Sequence, residues 1–299
     1  MNRYLDLAHK GRNDWWRYLL SFPAILVIWL LVGSIPVVLL MAYVSMDGNP
    51  ATGYSATGFI GIPVTIEFLV TMSSFIPLIV ATLLAVRLIH EQPLRTLITA
   101  ETHIRWRRIL AAAGVWLVIA ALLSLVEAIL YPGRYVFTFQ PAAWLVYAVF
   151  ALIFIPIQTS AEELFFRGYL LQSMGLRLKN KWLLSLLNGV LFLLPHLANP
   201  ELAGGSILIG LGYLAMGFFL ALITLQDNGM ELALGMHAAN NLVAALFANY
   251  TVTALPSPSM FTVQVLDPVY SFISLVVGMI LFYIVFFRPT HSGTATLPR

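Results

Sequence analysis

Residues 19–44 read LLSFPAILVIWLLVGSIPVVLLMAYV, a run without one charged side chain. A helix rises about 1.5 Å per residue, and about 20 mostly apolar residues cross a hydrocarbon core of roughly 30 Å. The run is therefore long enough to cross a membrane as a helix. Seven further apolar segments follow, at 68–88, 109–130, 142–157, 182–196, 207–225, 232–247 and 269–287. The fourth, fifth and seventh of the eight are the short ones. The reading is an all-α polytopic membrane protein of about eight transmembrane helices.

Composition agrees. A chain of 299 residues would hold about two soluble domains. Yet 60% of it is hydrophobic and 10% charged, where soluble proteins carry about 25% charged residues. A mean hydropathy of +0.88 makes lipid the solvent for most of the surface. The net charge of +3 and pI near 9.2 come from short basic clusters between apolar runs, not from a stripe that would read as a nucleic-acid surface. The absence of cysteine excludes disulfides, thiolate catalysis and thiolate metal sites.

Those basic clusters set the orientation, because loops rich in lysine and arginine stay on the cytoplasmic side. Arg3, Lys10, Arg12 and Arg17 precede the first span, and residues 45–67 contain neither lysine nor arginine. Arg95, Arg105, Arg107 and Arg108 follow the second span, Arg134 stands alone after the third, and Arg177, Lys179 and Lys181 follow the fourth. Later loops are nearly free of basic residues until Arg288. An even number of spans with both termini cytoplasmic satisfies these loops. Trp15, Trp16, Tyr18 and Trp106 stand where interfacial anchors belong. The charged start precedes an apolar run too long for a signal-peptide core, so the first span is expected in the mature protein. The division is a cytoplasmic or interfacial segment at 1–18, one transmembrane domain at 19–287 and a cytoplasmic tail at 288–299, with no internal repeat.

An ionisable side chain inside a span costs about 2.5–3.5 kcal/mol or more at the centre. Glu67, Glu127, Glu162, Glu163, Arg167, His196 and His237 are the candidates. Glu67 and Glu127 lie singly near span ends, where snorkelling to the headgroups accounts for them. The segment TSAEELFFRG at 159–168 is different, with two adjacent carboxylates and an arginine in apolar surroundings. Glu163 and Arg167 are four apart on one helical face and can pair. Glu162 points about 100° from Glu163 and about 140° from Arg167. It is left free, as a general base for water. An interfacial salt bridge at the cytoplasmic end of the fourth span is the alternative. Phe192 and His196 share a face, with Pro195 ending or kinking the helix at the imidazole. His237 and Asn241, also four apart, present a ring nitrogen and an amide side by side.

Glu162-Glu163-x-x-x-Arg167, Phe192-x-x-x-His196 and His237-x-x-x-Asn241, in that order in three helices, resemble the motifs of the type II CAAX prenyl endopeptidase and bacteriocin-processing (CPBP, or Abi) family of intramembrane glutamate proteases. The resemblance covers about 142–250. It implies that Glu162 and His196 activate a water, that His237 and Asn241 form an oxyanion hole, and that Glu163, Arg167 and Phe192 support them. It further implies a membrane-associated peptide or protein substrate, which is prenylated for some members of the family. With Glu162 at the cytoplasmic end of its span, the cavity is expected to open to the cytoplasm of a bacterial or archaeal cell. No cofactor is required on this reading; zinc held by Glu162, His196 and His237 ranks second. The expected partners are substrate and lipid bilayer, without nucleic acid, and the oligomeric state is left open. Acidic and histidine residues in membrane helices also serve proton relays, so an ion-coupled transporter competes, as does a catalytically silent membrane scaffold.

Overall fold

The computed structural model describes residues 2–55 and 58–288. The expected tail at 288–299 falls outside them except for Arg288. The first apolar run is α1 (Trp15–Gly33) and α2 (Ile35–Met46), broken at Ser34. The second is α3 (Val64–Ser73) and α4 (Phe75–Leu84), broken at Ser74 and prolonged by a π-helical turn, Ala85–Ile89. Each break precedes a proline, Pro36 or Pro77, which has no N–H to continue the helical ladder. The two breaks pack on each other, since a Cβ on Gly33 would lie 2.8 Å from the Ser74 carbonyl oxygen.

Then come α5 (Trp106–Leu130) and α6 (Pro141–Glu163), which runs through a π-helical turn, Leu164–Leu170, into α7 (Leu171–Gly175). After them stand α8 (Lys181–His196), α9 (Ile207–Asp227), α10 (Glu231–Leu246) and α11 (Pro268–Phe287). All eight apolar segments are thus helical. Among the described residues six stretches are long and apolar enough to cross a membrane: Trp15–Met46, Val64–Ile89, Trp106–Leu130, Pro141–Gly175, Ile207–Asp227 and Pro268–Phe287. α8 and α10 have 16 residues each, a rise of about 24 Å. α9 is the most enclosed of the long helices, with half of its apolar window buried against 11% for the first.

Arginines gather at one end of the bundle. Arg105, at the head of α5, bonds Glu231 at the head of α10 at 2.7 Å and Asp227 at the tail of α9 at 2.9 Å. Arg108 holds the same Asp227, and Arg3 meets Glu101 at 3.2 Å. β1 (Gly53–Ser55) and β2 (Gly58–Ile60) pair antiparallel between α2 and α3, and at the end opposite the arginines β3 (Tyr135–Phe137), β4 (Ala248–Tyr250) and β5 (Phe261–Val263) form a small sheet with β5 central, antiparallel to β3 and parallel to β4. Glu127 corrects an expectation here. It is buried, accepting from Arg134 at 2.9 Å and the Tyr135 hydroxyl at 2.7 Å, and does not snorkel. The pair forms because the chain turns back after α5 and brings Arg134 over the carboxylate. Arg134 also reaches Asp267 at 3.0 Å. Asp267 caps α11, and chiefly the Tyr270 amide, with Arg134 adding to it, holds its carboxyl below the usual carboxylate range.

Candidate active site

α8 and α9 touch through glycines: a Cβ on Gly217 would lie 2.7 Å from the Phe192 Cβ and 2.9 Å from the Gly189 Cα. Such small-residue crossings bring helix backbones together. This one puts the Gly217 carbonyl 3.2 Å from Arg167 Nη2, which donates to it. The π-helical turn after Glu163 disturbs the regular helical ladder, and beside it the Asn188 amide donates to the Phe166 carbonyl at 2.8 Å.

On this frame Arg167 and Glu163, both fully buried, meet at 2.9 Å, and the guanidinium carbon stands 4.6 Å over the Phe192 ring. The i,i+4 reading of the pair agrees with this geometry. The sequence pattern did not indicate that His237 joins it, with Nδ1 2.8 Å from Glu163 Oε1 and Nε2 3.5 Å from Glu162 Oε2. A carboxylate only accepts, so Nδ1 carries a proton. Glu162 Oε2 is buried and has no hydrogen-bond partner. His196 ends α8, its Nδ1 donating to the Phe192 carbonyl at 2.6 Å and its ring 4.5 Å from that of Phe192. Its Nε2 is thereby left as the nitrogen available to a ligand. Glu162, Phe192, His196, His237 and Asn241 all line one cavity of about 490 Å³. Glu163 and Arg167 lie behind its wall.

Several residues of the site carry no motif. Trp116 Nε1 on α5 donates to Asn240 Oδ1 at 3.3 Å, Asn240 Nδ2 to Asn241 Oδ1 at 3.2 Å, and Asn241 Nδ2 to Gln158 Oε1 at 3.0 Å. An indole N–H can only donate, so Trp116 fixes the direction of all three amides in turn. Gln158 could have been found, because it precedes Glu162 by one helical turn; Trp116 could not. The Tyr213 ring lies tilted against that of His196, centroids 4.4 Å apart, and its hydroxyl donates to Glu201, whose other oxygen accepts from the Ala254 amide at 2.9 Å.

One expectation changes. α6 does not end at Glu162: the helix continues to Gly175, because the buried pair with Arg167 neutralises the charge that breaks the apolar pattern. The cavity wall includes Asn249 and Tyr250 of β4 as well as the motif residues that line it. Among the described residues no three His, Cys, Asp or Glu side chains converge to hold a metal, and His237 turns one nitrogen to each carboxylate.

Comparison with known proteins gives two matches. The family model for Rce1-like type II CAAX prenyl endopeptidases matches residues 140–243, which include all three motifs. The chain is also 32% identical over 276 residues to the uncharacterized protein YyaK of Bacillus subtilis (strain 168), covering 91% of each.

Proposed function

Because this chain belongs to the Rce1-like type II CAAX prenyl endopeptidase family, we propose that it is an intramembrane endopeptidase in which Glu162 activates water for attack on a peptide carbonyl. The observation that carries this reading is the unpartnered Glu162 Oε2 on the cavity wall, beside a second carboxylate that Arg167 has already neutralised. Glu162 takes a proton from water as the oxygen bonds to the carbonyl carbon. The tetrahedral intermediate then collapses, the C–N bond breaks, and the leaving amine takes the proton from Glu162. His196 orients the water through Nε2. The second N–H of Asn241 and the Nε2–H of His237 stabilise the oxyanion. In that role the His237 ring carries both protons, with a carboxylate facing each nitrogen. The reading includes eight helices across the membrane, with α8 and α10 as the short ones, and both termini in the cytoplasm.

Proteomics of membrane peptides from cells carrying the wild type or Glu162→Gln identifies substrates, and purified enzyme is then assayed on the peptides found. Glu162→Gln is expected to fold, insert and lose cleavage. Retention of more than a tenth of wild-type turnover would overturn the role of Glu162. EDTA and phenanthroline are expected to leave turnover intact, and zinc-reversible inhibition would replace this mechanism with a metal-assisted one.

A further inference from the structure

His196 stands where its helix stops holding it. Pro195 has no N–H to continue the ladder. Beyond it the chain leaves α8 in tight turns, the Leu197 amide on the Leu194 carbonyl and the Asn199 amide on that of His196. Helix ends fray, so an imidazole on this last turn keeps one direction only if something outside α8 fixes it. Phe192, whose carbonyl and ring it meets, belongs to the same helix end.

The outside support is Tyr213 on α9, whose ring is inclined by 30° to the imidazole at a centroid distance of 4.4 Å. Its placement follows from the glycine crossing. Gly217 lies against Phe192, and one helical turn back on α9 Tyr213 lies against His196, one turn further along α8. The two contacts are successive steps of one antiparallel helix pair, so the close approach at Gly217 also sets how near the phenol comes to the imidazole.

The phenol is tethered in its turn. Its hydroxyl accepts from Asn199 Nδ2 at 2.9 Å and donates to Glu201 Oε1, while Glu201 Oε2 accepts from the Ala254 amide at 2.9 Å. A carboxylate only accepts, so the hydroxyl proton is committed to Glu201 and its lone pair to Asn199. Glu201 lies in the 3₁₀ turn Pro200–Leu202 between α8 and α9, and Ala254 follows β4. The carboxylate therefore joins two connecting segments to the ring that leans on His196. Among the described residues neither lysine nor arginine lines the cavity, so no cation there competes for Glu201. A carboxylate placed beside so much apolar wall is costly unless it is hydrogen-bonded, and the bonds it makes are those that fix Tyr213.

We propose that Tyr213 is a positioning residue for His196: held by Glu201 and Asn199, it sets the plane of the imidazole from α9 and so aims Nε2 at the water that Glu162 activates. This rests on the protease reading above.

The kinetic test uses purified enzyme on a peptide cleaved in a Glu162-dependent way. Tyr213→Leu removes the ring and is expected to lower kcat about 10²-fold with KM little changed, the cost of a small misplacement of a reacting group. Tyr213→Phe keeps the ring but loses the tether, and is expected to fall between, about tenfold down. It carries the test where Tyr213→Leu fails to fold. In a His196→Gln background either change is expected to add about twofold or less, because the residues act as one unit. Losses that multiply in that background, or a rise in KM at constant kcat, overturn the proposal.

A second readout does not need cleavage. Protein labelled with ¹⁵N-histidine is observed at alkaline pH, and the ring signals of His196 are identified by their loss in His196→Gln. The wild type is expected to show the form protonated on Nδ1, and both Tyr213 variants to move towards an average of the two tautomers. Spectra unchanged in both variants overturn the proposal even if kcat falls. The expected spectra without any Glu162-dependent cleavage by the wild type overturn the protease reading, and the proposed role falls with it.

Discussion

Replacing Arg167 by alanine asks whether the buried pair behind the site is a true ion pair. The substitution removes the 2.9 Å contact to Glu163, the 3.2 Å bond to the Gly217 carbonyl and the cation over Phe192. Stranding one member of a buried pair costs about 3–5 kcal/mol. His237 still faces Glu163 Oε1 at 2.8 Å, so the lower part of that range applies, about 3 kcal/mol. Larger chains lose about 2–4 °C of melting temperature per kcal/mol, which gives a fall of about 6–12 °C in one detergent at one scan rate, followed by tryptophan fluorescence. Adding Glu163→Gln removes the stranded charge and leaves an uncharged buried amide, whose cost is about 1–3 kcal/mol. The double variant is therefore expected to melt above Arg167→Ala alone. A double variant no more stable than the single would show that Glu163 carries no stranded charge. An Arg167→Ala protein that melts with the wild type but does not cleave would mean that the guanidinium contacts substrate, against its complete burial.

Two further expectations concern the oxyanion side. Asn241→Ala should lower kcat by about 10²–10³ with KM little changed, and the double variant with His237→Ala should lose less than the product of the single losses, because both donors serve one oxygen; a matching rise in KM would reassign Asn241 to ground-state binding. Trp116→Phe keeps the ring packed edge-on against Phe282 but removes the N–H that orients Asn240. It should lower kcat about tenfold at constant KM and cost about 1 kcal/mol of stability, and wild-type kcat in this variant would refute the amide chain.

The helices were legible because a bilayer demands apolar runs of one length, and residues 19–44 meet that demand without any tertiary context. The breaks at Ser34 and Ser74 carried signals in Pro36 and Pro77, yet that they pack on each other depends on Gly33 meeting a carbonyl 41 positions further on. Within the site, local spacing showed what one helix can show: Glu163 with Arg167, and Phe192 with His196. What joins different helices left no trace in spacing. His237 bridging two carboxylates and Trp116 directing three amides follow from how α5, α6 and α10 meet. Glu127 was misread for a related reason, since a partner beyond a turn is invisible to an argument about depth. The length of the fourth span was underestimated because hydropathy ends a span at its first charges, whereas a neutralised pair lets the helix continue to Gly175.

The π-helical turn at Leu164–Leu170 works as a phase shifter. Each residue of an α-helix advances the side-chain direction by about 100°, and the wide turn carries a surplus residue, so α6 and α7 lie on one rod without sharing one angular count. Upstream, the count aims Glu162 at the cavity and Glu163 at His237. Downstream, a separate count turns the buried face of α7 onto Leu5, which lies against Gly175. The chemistry and the packing of the amino-terminal segment can each be set without disturbing the other, and a chain shortened by one residue in this turn would have to surrender one of the two alignments.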